Sequence, residues 1–352
     1  MNIIVTCLMS TGTLNAKLIP LSKVSKIDKI FILRKENGPE IEKIEYILLP
    51  RVCNLKLINF LLTPFLLIYY TEKKKASLVL GYHFIPHGFF AYLTSVFTGV
   101  PFIIGQTGLF IQKYTKNIII NKMVLHVLRK ALYFNVPGEK SKLFWEEKGV
   151  ERKKINLLHS TINTNRFSYL NVDKEYDFIY VGRFAPEKNI DIIIMAFAKL
   201  LELSPNLTLA LVGYGFLENE LKELTKKLEI SNNIIFLGKQ DHIEFFLNRS
   251  RIFVMASSSE GLPCALMEAM SCEMLVVTTA VGNITDIVSD ERTGFLVDRP
   301  NVIMLSDKMR KAVSFYSKSG SIRKNARAVI IQKHSHNYSL NMWESLALSN
   351  IT

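Results

Sequence analysis

Four cysteines stand in 352 residues, Cys7, Cys53, Cys264 and Cys272, with no close pair and no histidine partner motif. That spacing excludes a zinc module and a disulfide framework, and it reads as reduced thiols packed as small apolar side chains. Long apolar runs are also missing. The most apolar stretch, Leu55–Tyr70, contains Lys56, Asn59 and Pro64 and falls short of the roughly 20 residues that a spanning helix needs. It is expected to form a helix with a kink or break near Pro64, buried in the core in preference to lying at an interface. The opening residues Met1–Cys7 lack a basic segment and a small-residue cleavage site, so no secretory signal and a cytoplasmic location are expected. There is no low-complexity tract and no short repeat.

What is present is a globular composition, 49% apolar and 21% charged, over a length that favours two domains. The net charge of +13 is unevenly spread: residues 1–170 carry a net +14 and residues 171–352 a net −1. A basic half without a recognition helix, zinc module or aromatic-basic motif argues against a nucleic-acid partner. Attraction to anionic lipid at the inner face of the cytoplasmic membrane, as a peripheral contact, fits the same charge.

Short apolar segments alternate with helical patterns along most of the chain. Strands are expected at Ile3–Cys7, Lys29–Leu33, Leu78–Leu80, Phe102–Ile104, Ala131–Asn135 and Ile155–Leu158, with helices at Gly88–Thr98 and Ile118–Lys130 between them. A polar, Asn-rich stretch, Ser160–Asp173, interrupts the series. A second series follows, with strands at Phe178–Val181, Leu207–Val212, Ile234–Leu237, Ile252–Met255, Leu275–Thr278 and Phe295–Val297, and helices at Ile190–Leu203, Phe216–Leu228 and Pro263–Cys272. This is an α/β pattern: two doubly wound, parallel-sheet, Rossmann-like domains. The expected division is 1–165, a linker at 166–175, a second domain at 176–330, and a C-terminal helix in 331–352 that crosses back to the first domain.

The chemistry concentrates in the second series. After the strand Phe178–Val181 comes Gly182-Arg183-Phe184-Ala185-Pro186-Glu187-Lys188-Asn189, then an apolar helix. Open α/β sheets bind ligands at the carboxyl ends of strands, glycine permits close backbone approach, and a helix start favours anions. Arg183 and Lys188 add a fork and a point charge suited to a diphosphate, although a solvated loop with two surface cations would read alike. Val212-Gly213-Tyr214-Gly215 repeats the strand-glycine-helix turn, and Gly238-Lys239 follows another strand. The most informative segment is Ser257-Ser258-Ser259-Glu260-Gly261-Leu262-Pro263-Cys264-Ala265-Leu266-Met267-Glu268. Pro263 suits the first turn of a helix, Glu260 precedes it on the loop, and Glu268 lies on it among apolar neighbours. Each carboxylate can accept from two hydroxyls of a vicinal diol, with backbone N–H groups between them facing a phosphate.

These segments, Gly182–Asn189, Gly213–Gly215 and Glu260–Glu268, resemble the retaining glycosyltransferase group 1 family (family 4), continuously from about Asp177 to Val297. The resemblance implies the GT-B fold, two Rossmann-like domains facing a central cleft. It implies that Arg183 and Lys188 bind the donor diphosphate, that Glu260 contacts sugar hydroxyls and that Glu268 holds the ribose. Backbone at Gly261, Leu262 and Leu266 would line the sugar and phosphate. Gly182, Gly213 and Lys239 complete the expected donor set. Catalysis would fall to Glu260, Arg183, Lys188 and His83. The first half departs from the family pattern. Ser10-Thr11-Gly12-Thr13 stands where two adjacent glycines are usual, and His83, with His87 close by, is one position from the usual histidine. Gly105-Gln106-Thr107-Gly108 replaces a histidine-glycine step, and Ser160-Thr161-Ile162-Asn163 replaces Asn-Gly-Ile/Val-Asp. Gly12 and His87 are the acceptor-side candidates.

The reading is a hexosyltransferase that moves a sugar from a nucleoside-diphosphate sugar to a hydroxyl acceptor with retention of configuration. The expected acceptor is a lipid-linked glycan of surface polysaccharide (O-antigen or capsule) synthesis. No Asp-x-Asp motif lies near these loops, so no metal and no other cofactor are expected. The alternatives are a non-catalytic nucleotide-sugar or glycan binder, and a nucleotide-sugar epimerase on the same fold.

Overall fold

A computed structural model describes residues 1–50, 55–106 and 117–346. Cys53, Thr107 and Gly108 and the last six residues lie outside these. The chain divides into two compact units, Met1–Thr161 with His336–Thr352, and Ile162–Ser335. The stretch read as a linker, 166–175, thus falls inside the second unit.

The first unit holds a sheet of seven strands, β1 (Asn2–Thr6), β2 (Lys29–Arg34), β3 (Ile44–Leu48), β4 (Ala76–Tyr82), β5 (Phe102–Gly105), β6 (Tyr133–Val136) and β7 (Ile155–Leu157). All neighbours pair parallel, in the order β3-β2-β1-β4-β5-β6-β7. Parallel strands read as near-continuous apolar runs because both faces are covered. In β1, Ile4 enters one core while Ile3 and Val5 enter the other, and all three are fully buried. Helices α1 (Thr11–Ser22), α2 (Lys56–Lys73), α3 (Phe89–Thr98), α4 (Ile118–Lys130) and α5 (Glu139–Glu147) connect the strands. Asn117 caps α4 by accepting from the N–H groups of Ile119 at 3.0 Å and Ile120 at 3.2 Å. Gly99 ends α3 in the left-handed conformation, with its N–H on the Ser95 carbonyl.

The second unit repeats the design with β8 (Tyr176–Val181), β9 (Leu209–Val212), β10 (Ile234–Gly238), β11 (Ser250–Met255), β12 (Leu275–Thr279) and β13 (Phe295–Val297). Their order is β10-β9-β8-β11-β12-β13, again all parallel. Phe178 and Tyr180 face one core, Ile179 and Val181 the other. Helices α6 (Ile190–Leu201), α7 (Glu218–Lys227), α8 (Ile243–Asn248), α9 (Cys264–Ser271), α10 (Val302–Phe315) and α11 (Gly320–His334) cover it. A last helix, α12 (His336–Ser345), belongs to the first unit, where Trp343 is fully buried in the cluster that holds Leu14 and Leu18 of α1.

Three local expectations need correction. Helix α2 runs unbroken through Pro64. It also does not sink into the core. Thr63, Leu67 and Thr71 are buried on one side, while Leu57, Leu61, Phe65 and Tyr69 stand exposed at four-residue spacing on the other. The residues alone could not choose between burial and amphipathy, because the run is apolar all round. Pro263 is the N-cap of α9 and not in its first turn. Strand β3 went unread because it lies at the sheet edge, where only Ile47 of its five residues is buried.

Candidate functional site

In each sheet the strand order reverses beside one central strand, between β1 and β4 in the first and between β8 and β11 in the second. Loops leaving adjacent strands in opposite directions at such a point leave a crevice at the carboxyl ends. In the second unit the two loops concerned are 182–189, after β8, and 256–263, after β11. They are tied together. Asn189, itself left-handed at φ 47°, donates its amide to the Ala256 carbonyl at 2.9 Å, and the Ser258 N–H donates to the Glu187 carbonyl at 2.9 Å. The Lys188 ammonium forms an ion pair with Glu260 Oε1, and the Ser257 hydroxyl donates to the same oxygen at 2.8 Å. The two charged side chains are only 16% and 10% exposed. Thr279, at the end of β12, donates to the Ser257 carbonyl at 2.6 Å and anchors the second loop from below.

Two glycines are dictated by backbone packing around these loops. Gly213 has φ +143°, and a Cβ there would lie 1.8 Å from the Gly182 carbonyl oxygen. Gly282 has φ +59°, and a Cβ there would lie 1.9 Å from the Glu260 carbonyl oxygen. Both keep a neighbouring chain segment pressed against a loop that carries a charged residue. At Gly213 the close approach that demands glycine is therefore to Gly182.

The remaining donor-side candidates are placed differently. The Arg183 guanidinium is 72% exposed and pairs at 3.2 Å with Glu187 on its own loop, not with the Lys188–Glu260 pair. Lys239 is exposed at the end of β10, two strands from β8. Gly261 is half-buried, and its carbonyl accepts from the Asn283 N–H at 2.9 Å; Leu262 is also half-buried. Leu266 is fully buried in the core, so only its backbone can serve the site. Met267 is the first N–H of α9 to bond back, to the Pro263 carbonyl, which leaves the N–H groups of 264–266 ahead of the helix ladder. The Glu268 side chain makes no hydrogen bond or ion pair among the described residues; burial pushes its carboxyl up to about 7, while Arg166 pulls it down and Glu244 adds repulsion. Sequence reasoning missed Asn189, Ser257 and Asn283. Asn283 is wholly buried, with neither end of its amide hydrogen-bonded. The serine run before Glu260 was a visible signal for Ser257; nothing in the chain marked Asn283.

In the first unit His83 sits at φ +67° directly after β4, with its Nδ1 buried and unpartnered, and burial lowers its pKa. His87 Nδ1 lies 2.8 Å from the Thr6 hydroxyl at the end of β1, and burial pushes its pKa down to about 4, so the ring is neutral at physiological pH. Both histidines thus stand at the strand-order reversal of their sheet. Gly12 lies exposed in the first turn of α1, where a Cβ would meet nothing within 4 Å. No steric reason for glycine exists there. Among the described residues no group of three His, Cys, Asp or Glu side chains has a metal-holding arrangement.

Residues 161–329 match the family described as Glycosyl transferases group 1. An uncharacterized glycosyltransferase of Methanocaldococcus jannaschii is 38% identical over 112 residues, 32% of this chain and 28% of that protein. An N-acetylgalactosamine-N,N'-diacetylbacillosaminyl-diphospho-undecaprenol 4-alpha-N-acetylgalactosaminyltransferase of Campylobacter jejuni is 26% identical over 212 residues, 56% of this chain and 57% of that protein. The chain thus spans about a quarter to three-fifths of the length of these relatives. The crystal structure of HepE from Anabaena in complex with UDP-glucose superposes with a TM-score of 0.79 at 17% identity, covering 99% of this chain and 100% of that one. The two parallel Rossmann-like sheets are those of the GT-B fold, and residues 161–329, most of the second unit, carry the similarity to the glycosyl transferases group 1 family.

Proposed function

We propose that the protein is a glycosyltransferase that moves a sugar from a nucleoside-diphosphate sugar to a hydroxyl on a lipid-linked glycan of surface polysaccharide synthesis. The observation that carries this reading is the shielded Lys188–Glu260 pair at the strand-order reversal of the second sheet. It sets a cation and a hydroxyl-accepting carboxylate side by side on two adjoining loops, complementary to the phosphate and hydroxyls of a sugar phosphate. The relatives' names and the UDP-glucose complex of HepE support the donor and acceptor classes.

In this reading the donor diphosphate displaces Glu260 from Lys188 and takes the ammonium. The freed carboxylate then accepts from sugar hydroxyls, with Ser257 holding its orientation. As the bond from the anomeric carbon to the diphosphate breaks, negative charge grows on the leaving oxygen, and Lys188 stabilises it. Arg183, once turned from Glu187, adds a second cation, so the charge is met without a metal. The N–H groups at the start of α9 face the same phosphates. Glu268 holds the ribose diol when ionised. His83 and His87 serve the acceptor side, where a neutral ring can take a proton from the attacking hydroxyl. Retention of the anomeric configuration follows from the family resemblance.

Peripheral contact with an anionic membrane completes the proposal. It rests on the net +14 of residues 1–170 and on the exposed stripe Leu57, Leu61, Phe65 and Tyr69 of α2. No helix among the described residues is long and apolar enough to cross a bilayer.

Incubation with labelled nucleotide sugars and a lipid-linked acceptor tests the reading. Transfer by the wild-type chain, lost in Lys188→Ala and Glu260→Ala, is expected. Tight binding of a nucleotide sugar without transfer or hydrolysis would favour the non-catalytic binder instead.

A further inference from the structure

The first unit contains a cavity of about 530 Å³ that the donor chemistry does not use. It lies at the carboxyl ends of β1, β2 and β3, where Leu8, Arg34 and Leu49 meet Phe60 of α2 and Phe90 of α3, with His87 at one side. Its volume is that of a small-molecule site. Most of its wall surface is apolar, and among its polar side chains Arg34 stands apart. The Nη1 of Arg34 is buried with no hydrogen-bond partner, and no carboxylate among the described residues forms an ion pair with Arg34. A guanidinium nitrogen sealed from water without an acceptor is costly, so an acceptor supplied from outside is expected to occupy the place.

Among the described residues the one carboxylate in the cavity wall is Glu36, exposed at the rim. Cys7, in the same wall, is pushed up to about 12 by burial and stays a neutral thiol. His87 is neutral. Lys35 brings a second cation to the rim, and Glu36, beside it, is exposed and balances only one of the two. The apolar wall continues outward. Phe60 is half exposed and leads onto the exposed Leu57 and Leu61 of the same helix. A ligand with an anionic head and a hydrocarbon tail would satisfy both parts at once.

The geometry points to Arg34 as the anion-binding residue of a lipid-phosphate subsite in the first unit, with the hydrocarbon chain passing over Phe60 along α2. This deepens the proposed function and rests on it only in calling the ligand the lipid end of the acceptor. Binding itself is independent of transfer.

Titration of the full chain with farnesyl diphosphate and with inorganic pyrophosphate tests it, in a Lys188→Ala background that weakens the proposed donor diphosphate site. Farnesyl diphosphate is expected to bind at least tenfold more tightly than pyrophosphate. Arg34→Gln should weaken farnesyl diphosphate by about ten- to a hundredfold, the range of one charged hydrogen bond. Phe60→Ser should weaken farnesyl diphosphate and leave pyrophosphate unchanged. Equal affinity for the two ligands overturns the apolar arm. Wild-type affinity in Arg34→Gln, with a normal melting curve, overturns the anion site. If Arg34→Gln does not fold, Phe60→Ser on the surface of α2 decides, since unchanged farnesyl diphosphate affinity there removes the proposal. Loss of transfer in Lys188→Ala with intact farnesyl diphosphate binding separates the two sites, and a chain that binds farnesyl diphosphate through Arg34 but never transfers sugar leaves this subsite standing while the proposed function falls.

Discussion

Lys188 and Glu260 stand 72 residues apart in the chain and form one ion pair, the ammonium of a loop after β8 against a carboxylate of the loop after β11. Ser257 donates to the same carboxylate oxygen. The pair is poorly hydrated, so removal of one member leaves the other charge without its partner, at a cost approaching that of a buried pair. Lys188→Ala is expected to lower transfer at least about a hundredfold, the usual effect of removing a preorganised stabiliser of developing charge. It should also lower stability by about 2 kcal/mol, and Glu260→Gln in the same chain should restore part of that loss. A double-mutant cycle by urea unfolding reads this coupling; additive effects would remove it.

Gly282 is expected to be irreplaceable even by alanine. Its φ of +59° disfavours any side chain, and the Cβ would lie 1.9 Å from the Glu260 carbonyl oxygen. Gly282→Ala should cost about 2 kcal/mol or more of stability and weaken the donor by shifting the Glu260 loop. Thermal melting with and without nucleotide sugar measures both. A variant with wild-type melting and wild-type ligand shift would disprove the steric account.

Glu268 links pH to stability. Its carboxyl is pushed up to about 7 in the folded chain by burial, against an unfolded value near 4.3. The folded state therefore holds the proton more tightly, and stability falls as pH rises from about 4.3 to 7. The loss is at most about 4 kcal/mol, less to the extent that water reaches the group. Glu268→Gln should leave the melting temperature unchanged near pH 4 and raise it at pH 8. The same substitution should weaken donor binding more at pH 8 than at pH 6, because only the carboxylate accepts from both ribose hydroxyls. Equal donor affinity in wild type and variant at pH 8 would contradict the ribose role.

The exposed stripe on α2 is expected to dock on anionic lipid. Leu57→Ser, Leu61→Ser and Phe65→Ser together should reduce sedimentation with phosphatidylglycerol vesicles at least tenfold, since each apolar side chain buried in lipid contributes about 1.5–3 kcal/mol. Raising salt should weaken the wild-type interaction by screening the basic surface. Binding that resists both changes would assign neither the stripe nor the charge a role.

The α/β class, the two parallel sheets and most strand positions were legible in the chain because a strand covered on both faces must be apolar at nearly every position. Ile3-Ile4-Val5 and Phe178–Val181 announce themselves in that way. Lys188 and Glu260 were legible as individual candidates because strand-to-helix loops carry the chemistry of such sheets. Their partners were not. Arg183 turning to Glu187, the serine that orients Glu260, and the glycines fixed by a neighbouring carbonyl all depend on which loops lie side by side, and that is set by strand order. The same holds for α2: its composition is apolar on every side, and only packing against the first sheet decided that Leu67 is buried and Phe65 faces out. Local pattern determined which elements form and where charge gathers; the parallel crossovers, bringing segments 70 residues apart into hydrogen-bond distance, decided which charges meet.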